Sequence, residues 1–313
     1  MGGFLSMKKI YPQTFSRFKD LRIELLPNLF GVRDMEFYRV SSNAHFLYRP
    51  IEIKKKSGGV RQIYAPSGRL KFLQRRILSK LLEKVRLPPF VFGGVKGKSI
   101  INNASCHLGS KYLLNLDIEN FFPSVNWQLV RKLFIDLGCD SSVADVLTRF
   151  TTLDYRLPQG APTSPYILNL VLSNLDRRFF LLACSNRLTY SRYFDDITIS
   201  GGKRLIGLEE SFLEILRQEG FTINLKKKYL YGPSEDKKVT GLVLKSGGRM
   251  ELVSMSGLLK YLNELITEGL SNLDGINLEK EKQTLLGKIE FVKSIDKVDG
   301  QNLNTLFNKI KWV

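Results

Sequence analysis

The sequence is poor in the residues from which small metal and redox sites are built, with three cysteines and two histidines in 313 residues. Cys106, Cys139 and Cys184 lie far apart with no CxxC spacing, and the histidines are His45 and His107, which excludes a zinc-binding pattern and a disulfide framework. Long apolar runs are lacking as well. None approaches the roughly 20 residues that span a bilayer, and Met1 to Asp20 has no apolar core of a signal peptide, so the expected location is cytoplasmic, with no membrane partner. Internal repeats, low-complexity tracts and long linkers are also absent. Acidic residues are scarce: 30 Asp and Glu stand against 48 Lys and Arg, a net charge of +18. That excess needs an anionic counterpart, and nucleic acid is the leading one, ahead of an anionic membrane surface. Apolar residues are plentiful at 43%, enough for two or three packed subdomains.

The chain is organised around Tyr193-Phe194-Asp195-Asp196. Its flanks, Leu188 to Arg192 and Ile197 to Ser200, alternate apolar and polar residues, which predicts a β-hairpin with the two carboxylates at its turn. Adjacent carboxylates repel unless a cation lies beside them, and magnesium is the usual solution. Taken alone, the pair reads first as the bend of a solvated turn. A second carboxylate position decides between these. Tyr112 to Ile118 is a buried-strand run carrying Asp117 near its end, and a charge there is costly unless paired or bound to metal.

Around this centre the sequence predicts further elements. Tyr48 to Tyr64 alternates through two strands joined by Ser57-Gly58-Gly59, a basic hairpin whose lysines and Arg61 could grip phosphate or simply guard a solvated edge. A helix follows with Leu70, Leu73, Ile77 and Leu81 on its buried stripe. The glycine-rich loop from Phe92 to Ser99 misses the P-loop pattern by one residue, because Phe92 holds the place of its first glycine; it is read as a backbone-approach loop for nucleic acid. His107 has the setting of a structural hydrogen-bond partner. Helices are expected at 126–137 and 141–151, and another begins at Pro165, capped by Thr163 or Ser164, with Leu168, Leu172, Leu175 and Phe179 on one face. The Pro158-Gln159-Gly160 turn stands at that helix entrance, where it could offer an amide to a nucleotide or be a plain turn. Beyond the carboxylate hairpin, a helix at 205–219, strands at 220–224 and 237–244, and a basic helical module from about 254 complete the pattern.

In this order the stretches resemble a reverse transcriptase, from about Leu47 to Leu244. The resemblance rests on the basic hairpin, the strand ending in Asp117, Leu157-Pro158-Gln159-Gly160 and Tyr193-Phe194-Asp195-Asp196. It implies an α+β right-hand polymerase: an N-terminal extension at 1–45, fingers at 46–111, a palm of antiparallel sheet plus helices at 112–245 with an interleaved fingers segment, and a C-terminal α-helical thumb at 246–313. It also implies roles. Asp117, Asp195 and Asp196, with Ile118 beside the first, would hold two magnesium ions (Mg2+) that align the primer hydroxyl and neutralise the leaving pyrophosphate. Arg61 and Lys55 would hold the incoming dNTP, Gln159 would line its pocket, and Phe122 would stand against the sugar 2′ position. Lys227 resembles the lysine that protonates pyrophosphate, its register open by one residue within Lys226-Lys227-Lys228.

Two further marks resemble the retron group: Asn103-Ala104-Ser105-Cys106-His107 matches NAxxH, and Val239-Thr240-Gly241 matches VTG. They imply an enzyme that uses a cognate structured non-coding RNA as template and primes from the 2′-hydroxyl of an internal guanosine, giving branched msDNA. Asn103, His107, Val239, Thr240 and Gly241, with the helical module, are the implied RNA-binding positions. A separate effector protein, a role in antiphage defence and a host RNase H are implied with them. The alternatives are a group II intron-like or other bacterial reverse transcriptase, and a catalytically silent RNA-binding protein.

Overall fold

Two short helices, α1 (Leu26–Phe30) and α2 (Asp34–Ser42), lead into the basic hairpin and bury Phe30, Phe37 and Val40 in the main core. The computed structural model describes residues 18–54, 58–270 and 277–312, so Lys55, expected to hold a triphosphate, lies outside the described residues. Strands β1 (Tyr48–Lys54) and β2 (Val60–Pro66) pair antiparallel from Tyr48↔Pro66 to Lys54↔Val60 and stand largely in solvent. Helix α3 (Gly68–Lys80) buries Leu70, Leu73 and Ile77 at helical spacing, each contributing about 2 kcal/mol. Its buried Gln74 donates to the Phe150 carbonyl at 2.8 Å, a bond the apolar stripe did not foretell.

A capping box between Ser99 and Asn102 opens α4 (Ile100–Ser105). Strand β3 (Tyr112–Asp117) follows, then α5 (Phe121–Ser124), α6 (Trp127–Asp136) and α7 (Ser141–Thr151). Asn126 and Asp140 cap the last two through their side chains. The single helix expected from Pro165 is two, α8 (Ser164–Val171) and α9 (Ser173–Ser185), interrupted at Leu172, and neither Thr163 nor Ser164 makes the expected side-chain cap. Strands β4 (Thr189–Tyr193) and β5 (Asp196–Gly201) form the carboxylate hairpin, followed by α10 (Glu209–Gln218) and β6 (Tyr229–Tyr231). The central sheet has the order β4-β5-β3-β6 and is antiparallel throughout.

Two expected strands differ. Residues 220–224 cross the end of β3, making one bridge, Ile118↔Ile223, while Tyr229 to Tyr231 takes the edge beside β3. Residues 237–244 fold back on themselves as β7 (Lys237–Val239) and β8 (Leu242–Leu244), with β9 (Met250–Leu252) completing a second antiparallel sheet. Thr240 and Gly241 make the turn, both left-handed at φ 45° and 84°, a geometry that hairpin turns need and that glycine supplies without strain. The C-terminal helices α11 (Met255–Thr267), α12 (Leu278–Ile295) and α13 (Lys297–Phe307) bury Leu262, Leu285, Ile289 and Leu303 in a core of their own. No helix among the described residues is long and apolar enough to cross a membrane. The architecture is α+β, built on antiparallel sheets, as expected.

Candidate active site

Backbone pairing brings the carboxylates together. Asp117, the last residue of β3, is in register with Asp196, the first of β5, and the Ile118 N–H donates to the Asp195 carbonyl at 3.2 Å. Phe194 takes a left-handed conformation, φ 55°, to close the turn. Opposite, the Asn224 N–H donates to the Asp117 carbonyl at 2.8 Å and starts the helical turn Leu225–Lys227. From that turn Lys227 Nζ donates to Asp117 Oδ2 at 2.7 Å, whereas Lys228 pairs with Glu209. A cavity of about 220 Å³ opens here, lined by Asn115, Asp117, Asp196, Lys227, Lys238 and Thr240.

The charges are unfavourably crowded. Loss of hydration, then the neighbouring Asp195 and Asp117, push the Asp196 carboxyl up to about 7, although it is open toward the cleft on one side. Asp195 is raised for the same first reason, with Lys227 and Arg61 opposing. Lys227 is raised in turn, chiefly by its hydrogen bond to Asp117. Among the described residues no three acidic, His or Cys side chains enclose an ion by themselves, and one Asp117 oxygen accepts from Lys227. The donor set nonetheless fits a hard divalent cation. It consists of carboxylate oxygens that repel one another, beside room for water and phosphate, and magnesium characteristically keeps several non-protein ligands.

A pH dependence follows, with a definite sign. An unfolded Asp ionises near about 3.9, so between about pH 4 and 7 the folded metal-free chain keeps a proton on Asp196 that the unfolded chain has released, and stability falls as pH rises. Melting curves should therefore show wild type losing stability relative to Asp196→Asn from pH 5 to pH 8. Added divalent ion should restore more at pH 8 than at pH 5, where it must displace the proton. A difference between the two proteins that does not change with pH would contradict this.

Other expected site residues fall in three groups. Arg61, on exposed β2, is near enough for its charge to be felt at Asp195. Gln159 is tied to the same strand, its carbonyl accepting from the Tyr64 N–H at 2.8 Å. Gly160, φ 118°, makes that approach possible, since a Cβ there would lie 2.4 Å from Ile63 Cγ2. Phe122 is half-buried at the start of α5, edge-on to Phe121 at 5.8 Å. In the third group, Asn103 donates to Thr240 Oγ1 at 3.4 Å, so NAxxH and VTG touch. The five residues expected to bind RNA differ in exposure. Asn103, His107 and Val239 are buried, leaving Thr240 and Gly241 as the outward part. His107 bonds Ser200 and Ser191 at 2.7 Å each, one ring nitrogen donating and the other accepting. Burial lowers its pKa to about 4, and the neutral ring ties α4 to β4 and β5.

Sequence reasoning missed what supports the turn. Gly93 is buried and Gly94 exposed, and both stand against Phe194: a Cβ on Gly93 would lie 2.4 Å from the Phe194 backbone nitrogen, and one on Gly94 2.9 Å from the Phe194 ring. Arg192 and Asp176 form a wholly buried ion pair. Two signals for it were present. Arg192 shares a strand face with Tyr190, and Asp176 stands on the apolar stripe of Leu172, Leu175 and Phe179.

The family model described as reverse transcriptase (RNA-dependent DNA polymerase) matches residues 53–244. The chain is 35% identical over 311 residues to the Retron Ec86 reverse transcriptase of Escherichia coli, covering 96% of this chain and 94% of that protein. It is 30% identical over 285 residues to the Retron Ec73 reverse transcriptase of Escherichia coli, covering 84% and 88%. With the Retron Mx65 reverse transcriptase of Myxococcus xanthus it shares 38% over 220 residues, 63% of this chain and 51% of that one.

Proposed function

The chain belongs to the retron reverse transcriptases and is an RNA-directed DNA polymerase of right-hand fold, and on that premise we propose that it copies a cognate structured non-coding RNA into branched msDNA. Synthesis starts from the 2′-hydroxyl of an internal guanosine of that RNA. One observation carries the reading: the cavity at Asp117 and Asp196 continues to Thr240 and Gly241, which Asn103 braces from behind. RNA held at the outward VTG turn would thus lie beside the carboxylates.

In this mechanism Asp117, Asp195 and Asp196, with the backbone at Ile118, would hold two Mg2+ ions, which would supply alignment of the primer hydroxyl with the α-phosphate and neutralisation of charge on the leaving pyrophosphate. Arg61, with Lys55, binds the triphosphate of the dNTP. Gln159 lines the nucleotide pocket. Lys227 exchanges Asp117 for the departing pyrophosphate and gives it a proton, which its raised pKa keeps in place until a phosphate oxygen is near. Phe122 closes the space at the sugar 2′ position. Phe122→Val should therefore raise ribonucleotide incorporation by about 10²-fold in primer extension, and an unchanged ratio would remove Phe122 from that role.

The right hand divides into an extension at 1–45, fingers at 46–111, a palm at 112–245 and a thumb at 246–313, the last supported by the separate core of the C-terminal helices. Beyond the enzyme itself, the reading includes a cytoplasmic site of action, a host RNase H that trims the template, and a separate effector protein acting with the msDNA in antiphage defence. The test is to express the gene with its flanking DNA and examine small nucleic acids. A DNA species whose mobility changes on 2′–5′ debranching supports the proposal; primer extension without any branched DNA overturns the msDNA reading and leaves the polymerase.

A further inference from the structure

Arg192 and Asp176 are both wholly excluded from solvent. Arg192 Nε and Nη2 donate to Asp176 Oδ1 and Oδ2 at 2.7 Å each, a two-pronged pair, and the Tyr190 hydroxyl donates to the same Oδ1 at 2.5 Å. Such a pair is a weak source of stability, since apolar side chains of similar volume often do as well in its place. Its distinguishing feature is where the remaining nitrogen goes. Arg192 Nη1 donates to Asn169 Oδ1 at 3.1 Å and to the Phe194 carbonyl at 3.0 Å, and Asn169 Nδ2 donates to the Gly93 carbonyl at 2.8 Å.

The Phe194 carbonyl belongs to the peptide that leads into Asp195. Phe194 is left-handed, a conformation that an aromatic residue adopts only when its surroundings hold it. Gly93 and Gly94 lie under its nitrogen and ring, while Arg192 grips its carbonyl. Asp176 stands on α9 and Asn169 on α8, so both helices set the position of the guanidinium.

We propose that Arg192, clamped by Asp176 and Asn169, is a positioning residue that fixes the Phe194 peptide and thereby the direction in which Asp195 and Asp196 leave the turn. The inference rests on those two carboxylates being the metal-holding groups. Arg192 touches neither metal nor substrate, and its effect passes through one backbone carbonyl.

Two variants test it. In Asp176→Leu/Arg192→Met the buried pair becomes apolar and the Phe194 carbonyl loses its donor; in Arg192→Lys the charge opposite Asp176 remains, but the planar fork is lost. Each is read by melting temperature, affinity for template RNA, kcat and KM for dNTP, and Mn2+ binding without substrate by electron paramagnetic resonance. The double variant should melt below wild type, because the Tyr190 hydroxyl, Asn169 Oδ1 and the Phe194 carbonyl lose their partners, yet remain folded at assay temperature and bind RNA normally. Its kcat should fall about 10²-fold with KM little changed, and its Mn2+ dissociation constant should rise about tenfold. A folded double variant with wild-type kcat and Mn2+ affinity overturns the proposal. If the double variant does not fold, Arg192→Lys decides by the same readouts: retained kcat and Mn2+ affinity overturn it, and loss of both with normal RNA affinity supports it. An Asp195→Asn/Asp196→Asn control separates the two levels. If that control binds Mn2+ as wild type does, the carboxylate assignment fails and this proposal with it; if the control loses Mn2+ while the Arg192 variants keep it, the positioning role alone is refuted.

Discussion

Asp195→Asn with Asp196→Asn is expected to reduce DNA synthesis by at least about 10³-fold while leaving RNA affinity unchanged. Asn matches Asp in shape, and the β4 to β5 register that carries both residues is made by backbone bonds, so the turn itself should persist. What disappears is the negative charge that would hold a divalent ion beside Asp117. The same replacement removes two carboxylates that loss of hydration, and after it the crowding with Asp117, hold above the usual range, so the metal-free variant should melt above wild type near pH 8. Primer extension on an RNA template and filter binding of that RNA check the two halves. Synthesis within tenfold of wild type would show that the carboxylates do not carry the chemistry.

Gly93→Ala is expected to lower kcat about 10²-fold, although residue 93 bears no functional group. The new methyl would lie 2.4 Å from the Phe194 nitrogen and 2.9 Å from both the Tyr193 carbonyl carbon and the Phe194 ring. Backbone cannot swing aside as a flexible side chain can, so the turn must move, at a stability cost of about 1–3 kcal/mol. Gly68→Ala, at the exposed start of α3 with nothing within 4 Å of the added Cβ, provides the contrast and should leave activity unchanged. Steady-state kinetics and melting curves of the two variants separate steric displacement from a general intolerance of alanine. Equal activity in both would mean that the turn yields without consequence.

The second expectation depends on packing beneath the turn, and here sequence and structure part. The carboxylate hairpin was legible because alternation with a period of two is a local property, and Asp117 because a charge ending a buried apolar strand demands a partner. Residues 237–244 misled because strand-forming residues, Val239 on one side and Leu242 to Leu244 on the other, flank Thr240 and Gly241, while β9 pairs with the second half and the Asn103 side chain lies against Thr240. The crossing of residues 220–224 past β3, the choice of Lys227 among three lysines, and the burial of His107 likewise depend on segments distant in the chain.

By itself the sequence determined the basic balance that calls for nucleic acid, the order of the motifs and the three carboxylates, and the family resemblance these carry implied the α+β class. The balance, the order and the carboxylates follow from residue type and short-range periodicity, which do not change with what packs nearby. Only the tertiary structure decided which groups support the carboxylates: the glycines under Phe194, the Arg192 and Asp176 pair behind it, and the join between Asn103 and Thr240. The cost of a buried charge, a left-handed aromatic residue or a missing Cβ is set by the atoms that arrive from elsewhere in the chain, and those are specified only when helix and sheet meet.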